Sequence, residues 1–289
     1  CTLMVSVLQG QPPGHDTMPD WTVYLPGLVI TLLLLLATWI TSIFKRDVSI
    51  VDSTWSLLFL AMALTYTSPA WLHGDLSPRA TLMLVLVTVW ALRLSIYISW
   101  RNRGESEDRR YQAIRRKHEP GFALKSLYLV FGLQGLLAWF ISLPLLAVAT
   151  GGTTPLGVLD MVAVMVWVTG FSIEALADKQ LAAFRARPEN RGKVLDSGLW
   201  RYSRHPNYFG ECAVWWGFYL LAVAAGGWWT FPAPLLMTLL LLRVSGVTLL
   251  EQDISERRPA YSDYVLQTNA FIPGPRKTTP TTGSSGAGA

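Results

Sequence analysis

The stretch Gly198-Leu-Trp-Arg-Tyr-Ser-Arg-His-Pro-Asn-Tyr-Phe-Gly-Glu211 is polar, basic and aromatic, and it stands directly between two strongly apolar blocks of the chain. Pro206 fixes one backbone angle and disfavours helix at His205, so the sequence predicts that a helix begins at Pro206 or Asn207. The free N–H groups at such a helix start favour anions. We therefore expect the chemistry of this protein at this turn.

The side chains of this stretch suit a phosphorylated, ring-bearing ligand. The candidate binding residues are Arg201, Tyr202, Arg204, His205, Asn207, Tyr208 and Glu211. Arginine and histidine offer charge, the tyrosines offer flat faces, and Asn207 offers an amide. The alternative is a plain interfacial role, because Arg, Tyr and Trp are enriched at the headgroup level of membranes. Glu211 argues against that alternative, since it lies one turn after Asn207 and already within the apolar block.

The 289-residue chain is 51% hydrophobic and only 15% charged, and several apolar runs approach the ~20 residues that a membrane-crossing helix needs. The sequence therefore predicts an all-α polytopic membrane protein, a bundle of about seven transmembrane helices. The expected spans are Val23 to Phe44, Ile50 to Tyr66, Ala80 to Trp100, Leu124 to Ala149, Leu156 to Leu176, Tyr208 to Ala225 and Phe231 to Leu250. We expect residues 1–20 to be a flexible extracytoplasmic leader, residues 21–275 the membrane domain and residues 276–289 a disordered tail.

Lys and Arg are concentrated in alternate connections of this topology. They follow the first, third, fifth and seventh expected spans, whereas the other connections hold only Arg79. By the positive-inside rule the N-terminus is outside and the C-terminus is cytoplasmic. The net charge of +5 follows from this topology, and it gives no reason to expect a nucleic-acid partner.

Charged residues also fall inside the expected spans. Arg93 and Arg243 are intramembrane cations, which usually face the bundle interior, so Arg93 should meet an acid or a ligand anion. Glu174 and Asp178 are four residues apart and project from one face of the fifth helix, where like charges repel unless a cation or a donor-rich ligand intervenes. An ordinary salt bridge from Arg185 to either acid is the simpler alternative.

Asp52 lies near the start of the second span, where an acid is costly unless it is solvated or paired. Two compatible interpretations stay open: a helix N-cap or a residue of the site. The charged run 101–111 after the third span is either a solvated face held by internal ion pairs or, with Tyr111, a lid over a phosphate-bearing ligand. Gln134, amid apolar residues of the fourth span, is interpreted as a hydrogen-bonding contact between helices.

These polar groups predict one cytoplasm-facing pocket above an apolar bundle. That combination is typical of a membrane enzyme that joins a soluble nucleotide cofactor to a lipophilic substrate reached from the membrane. The two cysteines, Cys1 and Cys212, indicate no disulfide framework, and no Cys and His cluster indicates a metal site.

The central stretch resembles the bacterial branch of the steroid 5-alpha-reductase family, together with Asp52-Ser-Thr-Trp55, Glu107-Asp-Arg-Arg-Tyr111 and Tyr261-Ser-Asp-Tyr264. The resemblance covers nearly everything from the first helix to Pro273. Sterol C14 reductases and isoprenylcysteine carboxyl methyltransferases share an Arg-His-Pro-x-Tyr core with it. The resemblance implies seven helices, NADPH as cofactor, and a site that faces the cytoplasm from a bacterial inner membrane.

Carried over by position, the resemblance implies that the cofactor is bound by Asn207, Glu211, Asp178, Arg185, Lys193 and Arg243. Glu174 stands where reductases acting on steroids carry Asn, and we count it with the cofactor-binding residues. Tyr261 joins them, because a short amphipathic helix expected from Arg258 to Tyr264 should close over the cytoplasmic face. Asp52 with its neighbouring Ser and Thr replaces a substrate-facing Gln-Glu pair, so the cofactor half of the family pattern is kept better than the substrate half.

The sequence thus predicts an NADPH-dependent reductase, a monomer in contact with membrane lipid, that saturates a carbon–carbon double bond conjugated to a carbonyl in a steroid-like or isoprenoid substrate. Asp52, protonated by its apolar surroundings, is the first candidate for polarising the carbonyl, and Tyr97 is the second. Two alternatives stay open: a methyltransferase of the isoprenylcysteine type that uses S-adenosylmethionine, and a non-enzymatic lipid-binding protein. The charge of the pocket distinguishes the two cofactors, since phosphates require Arg and Lys whereas a sulfonium does not.

Overall fold

The computed structural model describes residues 20–244 and 260–277. Expectations for the leader before Asp20, for residues 245–259 and for the tail after Lys277 lie outside the described residues. The described part is helical and contains no strand. Its helices are α1 Trp21–Lys45, α2 Ile50–His73, α3 Pro78–Arg101, α4 Arg109–His118, α5 Phe122–Ser126, α6 Leu133–Ile141, α7 Leu143–Thr150, α8 Val158–Arg185, α9 Pro206–Ala224, α10 Pro232–Leu239 and α11 Ala260–Gln267.

The helix ends follow from local sequence. Asp20 caps α1 by accepting a hydrogen bond from the Thr22 N–H at 3.0 Å, and Ser77 caps α3 by accepting one from Ala80 N–H at 3.1 Å. Gly74 ends α2 with a φ of 76°, a left-handed conformation that glycine adopts without strain. α9 begins at Pro206, so the predicted start of that helix is confirmed.

Five described helical segments are long and apolar enough to cross a membrane, and the expected membrane protein is confirmed at this level. They are Trp21–Lys45, Ile50–His73, Pro78–Arg101, Phe122–Ile141 and Val158–Arg185. α9 is helical as expected but lies in the bundle interior, with Val214, Trp215 and Phe218 buried. Only the first part of the last expected span is described, as α10 and a π-helical turn, Leu240–Val244. Seven spans therefore remain a prediction.

The fourth expected span, Leu124 to Ala149, is wrong as a continuous helix. α5 passes into a π-helical turn, Leu127–Gly132, then into α6, and the helix is interrupted at Ser142 before α7. Pro144, in the first turn of α7, has no N–H to continue the hydrogen-bond ladder of α6. The interruption is buried, and the Ser142 hydroxyl is held there by Tyr66 at 2.8 Å.

The bundle has an aromatic core and an apolar exterior. Phe59, Trp90, Trp215 and Phe218 pack in edge-to-face pairs, with ring centroids 4.5 to 5.9 Å apart. Large apolar side chains on the outward faces of the spans are exposed, among them Val29, Leu33, Val85, Met161 and Met165. An exposed apolar exterior on helices of this length suits contact with lipid.

The two ends of the bundle differ. At one end, here called the polar end, α1, α3 and α8 finish while α2 and α9 begin. The opposite end is joined by Arg79 of α3, whose guanidinium binds both carboxylate oxygens of Asp160 in α8 at 2.7 and 3.0 Å and also the loop residues Thr154 and Pro155. Both side chains of this ion pair are 3% exposed. The pair fixes the beginnings of α3 and α8 relative to each other.

Candidate functional site

Three glycines bring α8 and α9 into close contact. A Cβ atom on Gly210 would lie 2.5 Å from the Glu174 backbone nitrogen and 2.6 Å from the Gly170 oxygen. Gly217 packs against Trp167 in the same way further along the pair, where a Cβ atom would lie 2.8 Å from the Trp167 Cβ. Because the two backbones meet at Gly210, its neighbour Glu211 is placed next to Glu174 of the other helix.

A cluster of charged and polar side chains lies within the bundle near the polar end, here called the inner cluster: Arg93, Glu174, Asp178, Asn207 and Glu211. The Arg93 guanidinium of α3 donates to Glu174 Oε1 at 2.7 Å and also to Asp178. Asn207, in the first turn of α9, donates to Asp178 Oδ1 at 3.2 Å. Arg93 lies eight residues before the end of α3, which is about 12 Å along the helix axis. The expectation that Arg93 meets an acid is confirmed.

Negative charge is in excess in the inner cluster. Three carboxylates lie around Arg93, since Glu211 lies within electrostatic range of Glu174, Asp178 and Arg93, and Arg101 is a second cation within range of Asp178. The second carboxylate oxygen of Glu174 and the Trp90 indole nitrogen are both buried without a partner at standard hydrogen-bond geometry among the described residues, although the indole N–H lies beside Glu174 as a weak donor. An orphaned acceptor of this kind is costly unless a donor or a proton reaches it.

An open groove of about 390 Å³ leads from the bundle exterior to this cluster between α3 and α8. Its walls are Arg93, Tyr97, Trp100, Ala175, Asp178, Lys179, Ala182, Ala183 and Ala186. Tyr97 lies in the groove with the guanidinium groups of Arg93 and Arg101 at 5.4 and 5.8 Å from its ring centroid, and its hydroxyl donates to the Asp178 backbone oxygen at 3.3 Å. The groove is mainly apolar, and the polar side chains in its wall are Arg93, Tyr97, Asp178 and Lys179.

Asp52 belongs to a second group, here called the outer cluster: Asp52, Arg110, Tyr111 and Gln134. The Tyr111 hydroxyl donates to Asp52 Oδ1 at 2.6 Å, and Arg110 donates to Asp52 Oδ2 at 2.8 Å. Gln134 donates to the Tyr111 hydroxyl at 3.1 Å, so it joins separate helices as expected. Burial raises the pKa of Tyr111 well above its ordinary value, and the Asp52 carboxylate raises it further, so the phenol keeps its proton.

These contacts decide between the two interpretations of Asp52. α2 begins after Ser49, and Asp52 makes no capping bond, since its two oxygens accept from Tyr111 and Arg110. The cap interpretation is therefore wrong. Both oxygens act as acceptors, which is the arrangement of an ionised carboxylate and differs from the protonated donor that we expected from the sequence.

Two residues at the polar end lie near both clusters. Tyr208 lies within electrostatic range of Asp52 and Arg110 on one side and of Glu211 on the other. Arg101 lies within electrostatic range of both Asp52 and Asp178. Asp52, Tyr208 and Glu211 are each partly exposed.

The run after α3 carries internal ion pairs. Glu107 binds Arg115 of α4 at 2.7 Å and accepts from the Val48 N–H at 2.9 Å. Burial disfavours the charged form of Glu107, but Arg115 and the Val48 N–H outweigh it and hold the pKa of Glu107 below its ordinary value. The interpretation as a face with internal ion pairs is thus confirmed for Glu107, whereas Tyr111 turns inward to the outer cluster.

The turn before α9 is held from two sides. On one side, Trp200 donates to the Ala177 oxygen at 3.1 Å and Leu199 N–H donates to Gln180 at 3.0 Å, both on α8. On the other side, the segment from α11 to Lys277 contacts the turn. Arg204 donates to the Thr268 and Val265 oxygens at 2.8 and 3.1 Å, and the Tyr264 hydroxyl bonds the Trp200 oxygen.

The remaining predicted residues are distributed over the polar end. Arg185, Lys193, Arg201 and Tyr202 are exposed. His205 is 5% exposed and stacks on Tyr208 with ring centroids 5.6 Å apart. Tyr261 is buried in α11, the short helix that we expected here, against Tyr264.

Two predictions need adjustment. Arg243 is exposed and forms no ion pair with a described residue, so the structure does not bring this expected interior charge into the inner cluster. Arg276, placed by sequence at the start of the disordered tail, binds Asp196 at 2.7 Å, and the Lys277 N–H donates to the Gln267 oxygen at 2.9 Å. The ordered chain therefore extends at least to Lys277.

The candidate site also contains residues that we did not assign to it from sequence. Arg93 is the cation that pairs with both Glu174 and Asp178, whereas the salt bridge considered from the sequence for these acids was from Arg185. Arg110 and Tyr111 bind Asp52. The sequence feature that points to Arg93 is an arginine within an apolar span. The feature that points to Arg110 and Tyr111 is the density of arginine around a tyrosine. Neither feature identifies the partner residue.

The fold and the two clusters define a helical membrane protein with a buried polar centre reached by a groove between two spans. The chain belongs to the family described as protein of unknown function DUF1295, whose model matches residues 38–268. It is similar to an uncharacterized protein of Schizosaccharomyces pombe, with 27% identity over 278 residues that cover 86% of this chain and 79% of the relative. No solved structure matches the chain.

Proposed function

We propose that this protein is an NADPH-dependent reductase of the membrane that saturates a double bond conjugated to a carbonyl in a lipophilic substrate. One observation carries the proposal: a buried polar cluster beneath the central turn meets an apolar groove that opens between two membrane-spanning helices. A lipid enters such a groove from the bilayer, while a nucleotide reaches the cluster from the polar end. The resemblance to the steroid 5-alpha-reductase family supplies the reaction class.

The residues present fit a dinucleotide. The orphaned Glu174 oxygen and Glu211 accept hydrogen bonds from the amide and hydroxyl groups of such a ligand, and Asn207 donates or accepts one. Phosphates require cations, which Arg185, Lys193 and Arg201 present at the exposed polar end. NADPH, when bound, supplies the hydride. The polar end is cytoplasmic in this proposal, by the positive-inside rule.

Tyr97 takes the role of polarising the substrate carbonyl in place of Asp52. Its hydroxyl lies at the inner end of the groove, and the two neighbouring guanidinium groups favour electron density moving onto the phenol oxygen. Asp52 serves instead to position Arg110 and Tyr111 in the outer cluster. A hydrogen-bond donor in a mainly apolar groove stabilises negative charge on the carbonyl oxygen more strongly than a donor in water, because the local dielectric constant is low.

The excess of carboxylates in the inner cluster favours a second candidate, a methyltransferase using S-adenosylmethionine. A sulfonium cation would be stabilised by Glu174 and Glu211, whereas it has no need of the exposed arginines and Lys193. The isoprenylcysteine methyltransferases share the Arg-His-Pro-x-Tyr core, so the two candidates differ in cofactor rather than in architecture.

Cofactor titration of the purified protein in lipid nanodiscs separates the two candidates. We expect nicotinamide fluorescence to report NADPH binding that S-adenosylmethionine does not displace, and NADPH oxidation to require an added enone lipid.

Asn207→Ala should abolish NADPH binding, while Gln134→Leu, in the outer cluster, should retain it. Tyr97→Phe should retain binding and lower turnover by ~100-fold or more, with Tyr128→Phe on the exposed surface as the matched control. Binding of S-adenosylmethionine alone would contradict the reductase.

A further inference from the structure

We propose that the outward face of α4 is a binding surface for anionic phospholipid headgroups of the membrane that contains the protein. This surface, here called the basic rim, consists of Arg109, Arg116 and Lys117 of α4 with Lys45 and Arg46 at the end of α1. The rim residues belong to neither cluster, and the inference does not depend on the proposed reductase function.

The cations of α4 divide between two faces of the helix. On the inner face, Arg110 and Arg115 are each paired with carboxylates. The rim cations of α4 are exposed, and none of them forms an ion pair with a described residue. Seven positions separate Arg109 from Arg116, which is close to two helical turns, so the two lie on one face. α4 itself contains no acidic residue.

Helix stability does not account for this arrangement. The helix dipole favours cations in the last turn, which suits Arg116 and Lys117. The same dipole disfavours Arg109, which occupies the first position of α4. The N-cap carboxylate of Asp108 is engaged by Arg110. An external anion on this face would offset the cost of Arg109 and the repulsion among the rim cations.

α4 lies where membrane-crossing helices end. It connects the spans Pro78–Arg101 and Phe122–Ile141, and its Arg115 Nη2 lies 3.5 Å from the Arg46 backbone oxygen at the end of α1, a third span. Trp100, in the last turn of α3, is exposed, and tryptophan is enriched at the headgroup level of membranes. Long cationic side chains at this level extend toward the headgroups while their methylene stems stay on apolar surface.

The charge and position of the rim select the occupant. The acids nearby are Asp47 and Glu119, both within electrostatic range of Arg115, and two acids leave the five rim cations in excess. A lipid phosphate supplies the missing negative charge, and its oxygens accept paired hydrogen bonds from arginine. Basic segments next to a membrane span concentrate anionic lipid in this way.

Binding at the rim is linked to the outer cluster through α4. The helix carries the rim cations on its outward face and Arg110 and Tyr111, which hold Asp52, on its inner face. An anionic lipid that stabilises α4 therefore also stabilises the contacts of Asp52.

Thermal unfolding of the full-length protein in detergent, with phosphatidylglycerol titrated in, tests the rim. We expect phosphatidylglycerol to raise the unfolding midpoint of the wild type, and phosphatidylcholine with the same acyl chains to leave it unchanged. The triple variant Arg109→Gln, Arg116→Gln, Lys117→Gln should need on the order of 100-fold more phosphatidylglycerol for the half-maximal shift, since each cation near an anionic surface contributes roughly five-fold in affinity. High salt should weaken the wild-type effect.

The triple variant Arg187→Gln, Arg191→Gln, Lys277→Gln is the matched control. It removes two arginines and one lysine at exposed positions after α8 and after α11, and it should keep the wild-type response to phosphatidylglycerol. An α4 variant that responds like the wild type, a control that loses as much as the α4 variant, or a wild type that does not respond would overturn the inference.

Two soluble anions distinguish the lipid from other sources of negative charge. Glycerol 3-phosphate and poly-glutamate should leave the wild-type midpoint unchanged, because the rim lies at the headgroup level and favours an anion that the bilayer holds there. A shift with glycerol 3-phosphate equal to that with phosphatidylglycerol would assign the surface to a free phosphate. An equal shift with poly-glutamate would assign it to an acidic protein, and either result overturns the lipid assignment.

Discussion

At the scale of single residues, Arg93 is the side chain on which the inner cluster most depends. It is the guanidinium that pairs with both Glu174 and Asp178, so Arg93→Met leaves two acids uncompensated in the bundle. Removing one partner of a buried ion pair typically lowers the free energy of unfolding by about 3–5 kcal/mol. We expect a large fall in the thermal unfolding midpoint in detergent, with Arg103→Met, at an exposed position after α3, as the control.

A double substitution separates the charge effect from the loss of packing. Arg93→Met combined with Glu174→Gln removes one of the two orphaned acids, so it should be more stable than Arg93→Met alone. An Arg93→Met protein that unfolds at the wild-type temperature would show that solvent, rather than Arg93, compensates the acids.

The sequence predicted the kind of partner for Arg93 but not its identity. A cation in an apolar span must meet an acid or an anion, and this expectation is confirmed. The partner lies 81 positions away along the chain, and no local pattern connects α3 to α8. The same limit applies to Asp52, whose partner Tyr111 is 59 positions away. Its burial therefore suggested a protonated acid, whereas the fold supplies a cation and a phenol.

At the scale of secondary-structure elements, Gly210 determines how closely α8 and α9 approach. A methyl group there would lie 2.5 Å from the Glu174 nitrogen, and neither backbone can move without displacing the inner cluster. We expect Gly210→Ala to destabilise the protein by about 1–3 kcal/mol, the range for overpacking, and to weaken cofactor binding. Thermal unfolding and NADPH titration measure the two effects.

Gly152→Ala is the matched control for this contact. Gly152 has no atom within 4 Å of an added Cβ and lies in the loop before α8, so the same change should leave both measurements unaltered. Equal stability of the two variants would contradict the close α8–α9 contact.

Apolar runs predicted the helical elements well, because burial in lipid imposes a minimum length on each one. The start of α9 follows from a local signal, Pro206. The interruption at Ser142 did not follow from hydropathy, since α6 and α7 are both apolar and only the absent Pro144 N–H separates them. α8 extends to Arg185, past the expected membrane span that ends at Leu176, and it carries Glu174 and Asp178 on one helix as expected.

At the scale of the whole molecule, the alternation of helices places both clusters at one end of the bundle. α3 and α8 deliver their carboxyl ends there, while α2 and α9 deliver their amino ends. Positions far apart in sequence therefore meet, as Arg93 and Glu174 do in the inner cluster and Asp52 and Tyr111 do in the outer cluster. The arrangement of the polar end was foreseeable from the concentration of Lys and Arg, but the division into an inner and an outer cluster was not.

The orientation of this end in the membrane is the last prediction. The connection between α3 and α4 belongs to the polar end and lies among the Lys- and Arg-rich segments, whereas the connection between α2 and α3 holds only acidic and neutral residues before Arg79. Positive segments are retained in the cytoplasm, so the polar end should face inward.

In a Cys1→Ser, Cys212→Ser background, single cysteines at the exposed positions Glu105 and Asp75 report the two sides. A membrane-impermeant maleimide should label Asp75→Cys in intact cells and Glu105→Cys only after permeabilisation, and the reverse pattern would place the site away from the cytoplasmic NADPH pool and contradict the proposed function.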